Sequence, residues 1–142
     1  MAKPKKKTIS KLVQEAAELL QKLVRMKAAD DSGYCKCVTC GTVKIWNDGM
    51  QGGHFIDRRH ILTKILEENI HPQCAYCNSK FSNQGIVKAR YTIYMQEMYG
   101  HDFVADMLAT KGQTKKFYRD EVLEIIEDFK AQIKIEADRL GC

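Results

Sequence analysis

The sequence predicts an α+β fold in which a small cysteine-rich centre, two strands and a short helix, is flanked by N- and C-terminal helices. Three observations carry that expectation. Two C-x-x-C pairs bracket residues 37–77, an Asn47-Asp48-Gly49 turn signal separates two short strand-like runs, and helical periodicity marks both ends of the chain. A length of 142 residues suits one folded unit.

Taken in order, residues 1–7 (MAKPKKK) form a basic tail. From Thr8, the residues Ile9, Leu12, Val13, Ala16, Leu19, Leu20, Leu23 and Val24 recur at helical spacing, predicting an amphipathic helix to about residue 28. Asp30-Asp31-Ser32-Gly33 ends it, and a cysteine loop follows over 34–41. Residues 42–47 and 51–57 read as the two strands of a hairpin around Asn47-Asp48-Gly49. Residues 60–68 form a short helix or an ordered loop. Pro72 precedes a second short helix over 75–83, which Gly85 helps to stop. In that helix Tyr76 and Phe81 are expected in the core rather than as platforms for stacked bases. Further helices are expected over 87–98 and 102–109, the latter with His101 at its start.

The last element carries a stripe of Tyr118, Val122, Ile125, Ile126, Phe129, Ile133 and Leu140. The simplest use of that stripe is packing on the first helix; the sharper use is a homodimer through the terminal helices. The expected organisation is therefore a tail over 1–7, a helix over 8–33, a metal-stapled core over 34–90 and a helical region over 91–142.

Charge is unevenly distributed. Residues 1–27 hold eight Lys/Arg against two acidic residues and 35–90 hold eight against four, whereas 91–142 hold seven against ten. Positive charge thus collects on the N-terminal arm (Lys5, Lys6, Lys7) and the centre, which on charge alone suits a polyanionic partner such as DNA and a merely soluble, mildly basic protein equally well. No run approaches the roughly 20 apolar residues of a membrane span, and the basic N-terminus leads into a charged helix without an apolar signal region. A cytoplasmic protein without a membrane partner is expected.

Cys37-Val-Thr-Cys40-Gly and Cys74-Ala-Tyr-Cys77-Asn, 33 residues apart, have the spacing by which paired thiolates reach one tetrahedral Zn²⁺. Cys35 offers an alternative first ligand, though the two-residue spacing favours Cys37; Cys35 and Cys142 are then spare thiols. The interval between the pairs carries Gly52-Gly53-His54-Phe55-Ile56-Asp57-Arg58-Arg59-His60. Phosphodiester hydrolysis needs a base for water, a cation at the leaving oxygen and donors for the non-bridging oxygens. A histidine after two glycines can offer its imidazole to a closely approaching backbone. An asparagine such as Asn78 can hold Mg²⁺ or Mn²⁺ through its carbonyl oxygen. Arg58 and Arg59 supply guanidinium donors suited to phosphate.

Residues 37–85 resemble the zinc-bearing HNH endonucleases, whose ββα-metal core is treble-clef-like. The family segment N-[LI]-x-x-x-C-x-x-C-[HN] fits Asn69 through Asn78 without a gap. The resemblance implies that His54 is the general base, that Asn69 orients the loop of the base, and that Asn78 binds the catalytic metal. Many members carry Asp or His where this chain has Gly53, so either Asn78 holds the ion nearly alone or Asp57 or His71 joins it. A closer resemblance runs through LLQKLVRMKAADDSGYCKCVTCG, GGHFIDRR and ENIHPQCAYCN, which are similar to the NinG (Rap) recombination endonucleases of lambdoid phages. It implies cleavage of branched intermediates, Holliday junctions and D-loops, in the host cytosol. The rival reading is a non-catalytic zinc-finger module that binds DNA.

Overall fold

A computed structural model describes residues 6–142; the expected phosphate contact of Lys5, like the tail up to that point, lies outside them. Helix α1 (Ile9–Ala28) starts where expected because the Thr8 hydroxyl accepts the Lys11 N–H at 3.2 Å, satisfying a donor that the first turn leaves open. Its apolar face (Leu12, Val13, Ala16, Leu20, Leu23, Val24) packs on Val122, Ile126 and Phe129 of the last helix, α4 (Arg119–Leu140). Ile125 and Ile133 flank this core. The C-terminal stripe is therefore spent largely within the chain, so the residues expected to join two copies are occupied by α1. Tyr118, counted in that stripe, is exposed.

At the far end Arg139 of α4 ties the two helices together. Its guanidinium donates to the carbonyls of Met26 and Ala29 at 2.8 and 3.0 Å, at the C-terminal end of α1 where backbone donors become scarce. It also pairs with Asp31 and Glu136.

The strands pair differently from the expected hairpin. Strand β1 (Tyr34–Lys36) is antiparallel to β2 (Val43–Ile45), with Cys35 opposite Lys44. Strand β3 (Met50–His54) is antiparallel to β4 (Ile70–Cys74), with Met50 opposite Cys74 and His54 opposite Ile70. Asn47-Asp48-Gly49 does turn the chain, with Gly49 at φ +85°, but the strands on either side of it belong to different sheets. Arg25 of α1 holds this turn, donating to the carbonyls of Trp46 at 3.4 Å and Met50 at 3.0 Å. The two-strand unit that carries Cys74 is thus β3–β4, closed by the long connection 55–69.

Gly52 and Gly53 serve packing inside the chain. A Cβ on Gly52 would lie 2.8 Å from the Cα of Gln21, so α1 can cross β3 only because the residue is glycine. A Cβ on Gly53 would fall 1.8 Å from Oε1 of the buried Gln73.

The helix expected over 75–83 is absent: these residues form successive turns. The next helix, α2 (Gln84–Tyr99), begins instead at Asn83, whose side chain accepts the Ile86 N–H at 3.2 Å. Gly85, expected as a stop, lies in the first turn of α2, which also runs through residue 90, where the core was expected to end. Gly100, at φ +90°, then separates α2 from α3 (His101–Ala109). Among the described residues, no helix is long and apolar enough to cross a membrane.

Candidate functional site

The ligand atoms of Cys37, Cys40, Cys74 and Cys77 all lie within 4.8 Å of one another. With Zn–S bonds of about 2.3 Å, tetrahedral geometry places sulfur atoms about 3.8 Å apart. Cys40 and Cys74 stand at 3.7 Å, the spacing expected of two thiolates on one ion, and the whole set is compact enough to close on a four-thiolate ion. Two elements build it. The knuckle after β1 supplies Cys37 and Cys40, with the Gly41 N–H donating to the Cys37 carbonyl and Gly41 at φ +77°. The end of β4 and its following turn supply Cys74 and Cys77, with the Cys77 N–H directed at Cys74 Sγ at 3.4 Å.

Burial pushes the Cys77 thiol up to about 12 and raises Cys74 as well. Burial opposes ionisation of Cys37 too, but contacts from the Thr39 hydroxyl and backbone N–H groups outweigh it and hold that thiol at about 6. One thiol is thus primed for ionisation, and a bound cation would draw the remaining protons off its partners. Cys35 stands apart in the core, its thiol raised to about 11 by burial. Of the two alternatives for the first ligand, Cys37 joins the cluster.

Beside this centre lies a cleft of about 540 Å³ whose walls include His54, Asp57, Arg58, Arg59, Gln73, Asn78, Lys88 and Lys111. His54 ends β3, and its Nε2 is 2.9 Å from the carbonyl oxygen of Lys64. A carbonyl can only accept, so Nε2 carries the proton and the lone pair of the neutral ring resides on Nδ1. Burial lowers its pKa, partly offset by that same hydrogen bond, and the charges of Arg58 and Lys64 act in the same direction as burial. The ring is therefore neutral at pH 7.

Asn69, fully buried, holds the connection 55–69 in shape. Its Oδ1 accepts the Ile56 N–H at 2.7 Å, while Nδ2 donates to the carbonyls of Ile56 at 2.9 Å and Thr63 at 3.1 Å. Thr63 is the residue before Lys64, so one side chain connects the strand end bearing His54 to the carbonyl that fixes its tautomer. Asn78 sits in a turn rather than on a helix, its Nδ2 donating to Gln51 Oε1 at 2.9 Å, which leaves its carbonyl oxygen free of that contact. Asp57 lies at the mouth, held well ionised by the Arg59 backbone N–H and guanidinium.

His71 does not join this group. Tyr91 donates its hydroxyl proton to the Gly53 carbonyl at 2.7 Å, so its oxygen accepts the proton of His71 Nδ1 at 3.1 Å. The other ring nitrogen, Nε2, then accepts from the Tyr99 hydroxyl at 2.8 Å. With both nitrogens committed in a buried aromatic cluster, and its pKa driven to about 4 by burial, His71 is structural; the expectation of a metal ligand there is corrected.

Lys6 and Lys7 are exposed beside the start of α1, Lys7 pairing with Glu15 at 3.0 Å, and neither is among the cleft-lining residues. His60 accepts the Gly112 N–H at 3.2 Å. Lys88 and Lys111 were missed from the sequence. Lys88 donates to the Phe55 carbonyl and lies 4.1 Å over the Phe55 ring, with its pKa lowered by burial and by the charge of Lys111. They reach the cleft from α2 and from the turn after α3, and no local pattern marks either. Tyr76 and Phe81 reverse their expectation: with no helix over 75–83, both side chains stand in solvent.

No curated protein and no solved structure matches the chain. The family described as bacteriophage lambda NinG protein matches residues 1–139. With nearly its whole length matched, the chain belongs to the NinG family.

Proposed function

We propose that the protein is a divalent-metal-dependent DNA endonuclease of the HNH type that hydrolyses phosphodiester bonds in branched recombination intermediates. The observation that carries this reading is the convergence of His54, Asn78, Arg58, Arg59, Lys88 and Lys111 on one cleft in which Asp57 is the sole lining carboxylate. Four cations facing one acid form an unbalanced cluster, and like charges crowded in this way are relieved by a polyanion.

In this reading His54 takes a proton from water through Nδ1, while the Lys64 carbonyl steadies the imidazolium through Nε2. The guanidinium and ammonium groups bind the non-bridging phosphate oxygens. Asn78 and Asp57 would hold Mg²⁺ or Mn²⁺, which when bound stabilises the leaving oxygen. Asn69 positions the loop, and the four cysteines hold a structural Zn²⁺. Membership of the NinG family supports a phage recombination role, and the branched substrate follows from the resemblance of the motifs above.

The test compares wild type, His54→Ala and Asn78→Ala on four-way-junction and linear duplex DNA with Mg²⁺ or Mn²⁺. His54→Ala is expected to lose about 10²–10⁴-fold in rate with DNA binding and zinc content intact. Extra metal should partly rescue Asn78→Ala but not His54→Ala, because a cation does not replace a proton acceptor. Activity should rise with pH through a midpoint below about 6.5, the direction in which burial moves His54. Near-wild-type cleavage by His54→Ala would overturn the mechanism and leave a zinc module that binds DNA.

A further inference from the structure

The segment over 75–82 is short, turned and well tied, yet it presents two aromatic rings to solvent. Phe81, at 83%, is the most exposed large hydrophobic side chain among the described residues, and Tyr76, at 66%, is the next most exposed aromatic ring. Neither exposure comes from a loose loop. The Asn78 N–H donates to the Cys74 carbonyl at 3.0 Å, the Phe81 N–H donates to the Ser79 hydroxyl at 3.0 Å, and the Ser82 hydroxyl donates to the Ser79 carbonyl at 2.9 Å. Cys74 and Cys77 anchor the segment at the metal centre, and Asn83 caps α2 immediately after it.

Asn78, two residues after Tyr76 and three before Phe81, lines the basic cleft, as do Gln84 and Gly85 at the start of α2, so the segment bearing the rings enters and leaves beside that cleft although neither ring is part of its wall. The Lys80 ammonium stands 5.4 Å from the Phe81 ring centroid, placing a phosphate-seeking charge beside an apolar face. A rigid aromatic face, an adjacent cation and a basic groove are what an unpaired nucleobase and its phosphate require together. A base within a duplex offers no free face, whereas one at a gap or branch point does.

We propose that Phe81, with Tyr76 on the other side of Asn78, is a stacking platform for an unpaired base of DNA whose backbone enters the cleft. Phe81 supplies the ring and Lys80 the contact to the flanking phosphate. This rests on the endonuclease reading for the identity of the polyanion, but not for the chemistry of cleavage. The platform accounts for a preference for interrupted duplexes that the cations alone, which see phosphate in any DNA, do not supply.

The experiment measures binding of the full zinc-loaded chain, without Mg²⁺ or Mn²⁺, to a duplex carrying a short single-stranded gap and to a fully paired duplex of equal length. Phe81→Ala should weaken binding to gapped DNA by about 5- to 150-fold, the usual range for removing one stacked ring. Paired-duplex affinity should stay within about twofold. The salt dependence should not change, because stacking releases no counterions. Phe81→Trp should retain the preference, and Phe81→Leu, apolar but without a ring face, should lose it. Equal losses on both DNAs, full retention by Phe81→Leu, or no loss at all would overturn the platform. So would a change in oligomeric state for Phe81→Ala, which would make the ring a contact between copies of the chain. The two readings fail separately: cleavage by His54→Ala sinks the mechanism without touching the gap preference, and a silent Phe81→Ala sinks the platform alone.

Discussion

The α1–α4 frame and the cysteine centre are neighbours along α1 that are held together by different physics. Where α1 meets α4, the buried side chains are Leu12, Val13, Leu20, Leu23 and Val24 against Val122, Ile126 and Phe129, and area removed from water provides the cohesion. Where its C-terminal end meets the strands, the buried cluster is Met26, Ala29, Cys35, Cys37, Trp46, Met50, Cys74 and Cys77, half of it cysteine. Three of those thiols are ligand candidates, which leaves few apolar side chains around the knuckle itself. The frame has an apolar core of its own, whereas the centre is built around four cysteines that could hold a metal ion. The candidate catalytic side chains hang on the centre, so a zinc ion bound by the four cysteines would brace them too.

Removing the metal should break this contrast most severely. Structural zinc contributes about 10–16 kcal/mol of apparent binding free energy in small sites, and little else holds the knuckle. Chelation, or Cys40→Ser or Cys77→Ser, should unfold residues 34–83 while much of the α1–α4 helicity remains. Hydrogen exchange should therefore collapse across β1–β4 before α4; simultaneous loss in both regions would show that the frame is as metal-dependent as the centre. The converse perturbation is Leu20→Ala, which removes a fully buried side chain from the frame. It should cost about 2–5 kcal/mol in urea unfolding, with zinc still bound at one ion per folded chain.

A smaller effect separates the two histidines of the β3–β4 unit. His71 is nearly inaccessible and titrates at about 4 when folded, against about 6.5 in the unfolded chain. Below pH 6.5 the unfolded state binds a proton that the folded state refuses. The contribution is therefore complete above pH 6.5 and is lost as pH falls toward 4, about 3 kcal/mol over the whole window. His71→Gln keeps polar atoms in the cluster but cannot titrate. Between pH 7 and pH 5, wild type should lose about 2 kcal/mol more than His71→Gln, the zinc-linked loss being common to both. Matching pH profiles would show that the ring accepts its proton in place.

The same division explains what could be read from sequence. α1, α4 and the cysteine pairs depend on short-range spacing, 3.6-residue periodicity or two intervening residues, and each stands where expected. The strand pairing does not depend on local pattern. β2 is exposed at all three positions and offers no alternation to set its partner. A turn signal at Asn47-Asp48-Gly49 reports a reversal of the chain, not which edge the next strand will meet. For the site, the HNH-like pattern singled out His54, Asn69 and Asn78; His54 and Asn78 line one cleft, and Asn69 braces the connection behind His54. Lys88 and Lys111 reach the cleft only through tertiary packing. His71 looked like a ligand by type, and only the two tyrosine hydroxyls brought to it by α2 show otherwise.

The smallest prediction sets the two regions against each other with one kind of change. Thr8 caps α1 in the frame and Asn83 caps α2 at the edge of the centre, each accepting an N–H of the first turn at 3.2 Å. Replacing either by Ala should cost about 1 kcal/mol of local hydrogen bonding. The consequences should differ in reach. α1 packs on α4, β3 and β4, so fraying at Thr8 lowers the stability of the whole unit, and Thr8→Ala should shift the global urea midpoint. Asn83 follows directly on the turned segment that carries Asn78 and Phe81. Asn83→Ala should leave the global midpoint nearly in place and instead speed hydrogen exchange over the first turn of α2. If Asn83→Ala moves the global midpoint as far as Thr8→Ala does, α2 is part of the frame, and the boundary between the two regions lies on the other side of the cleft.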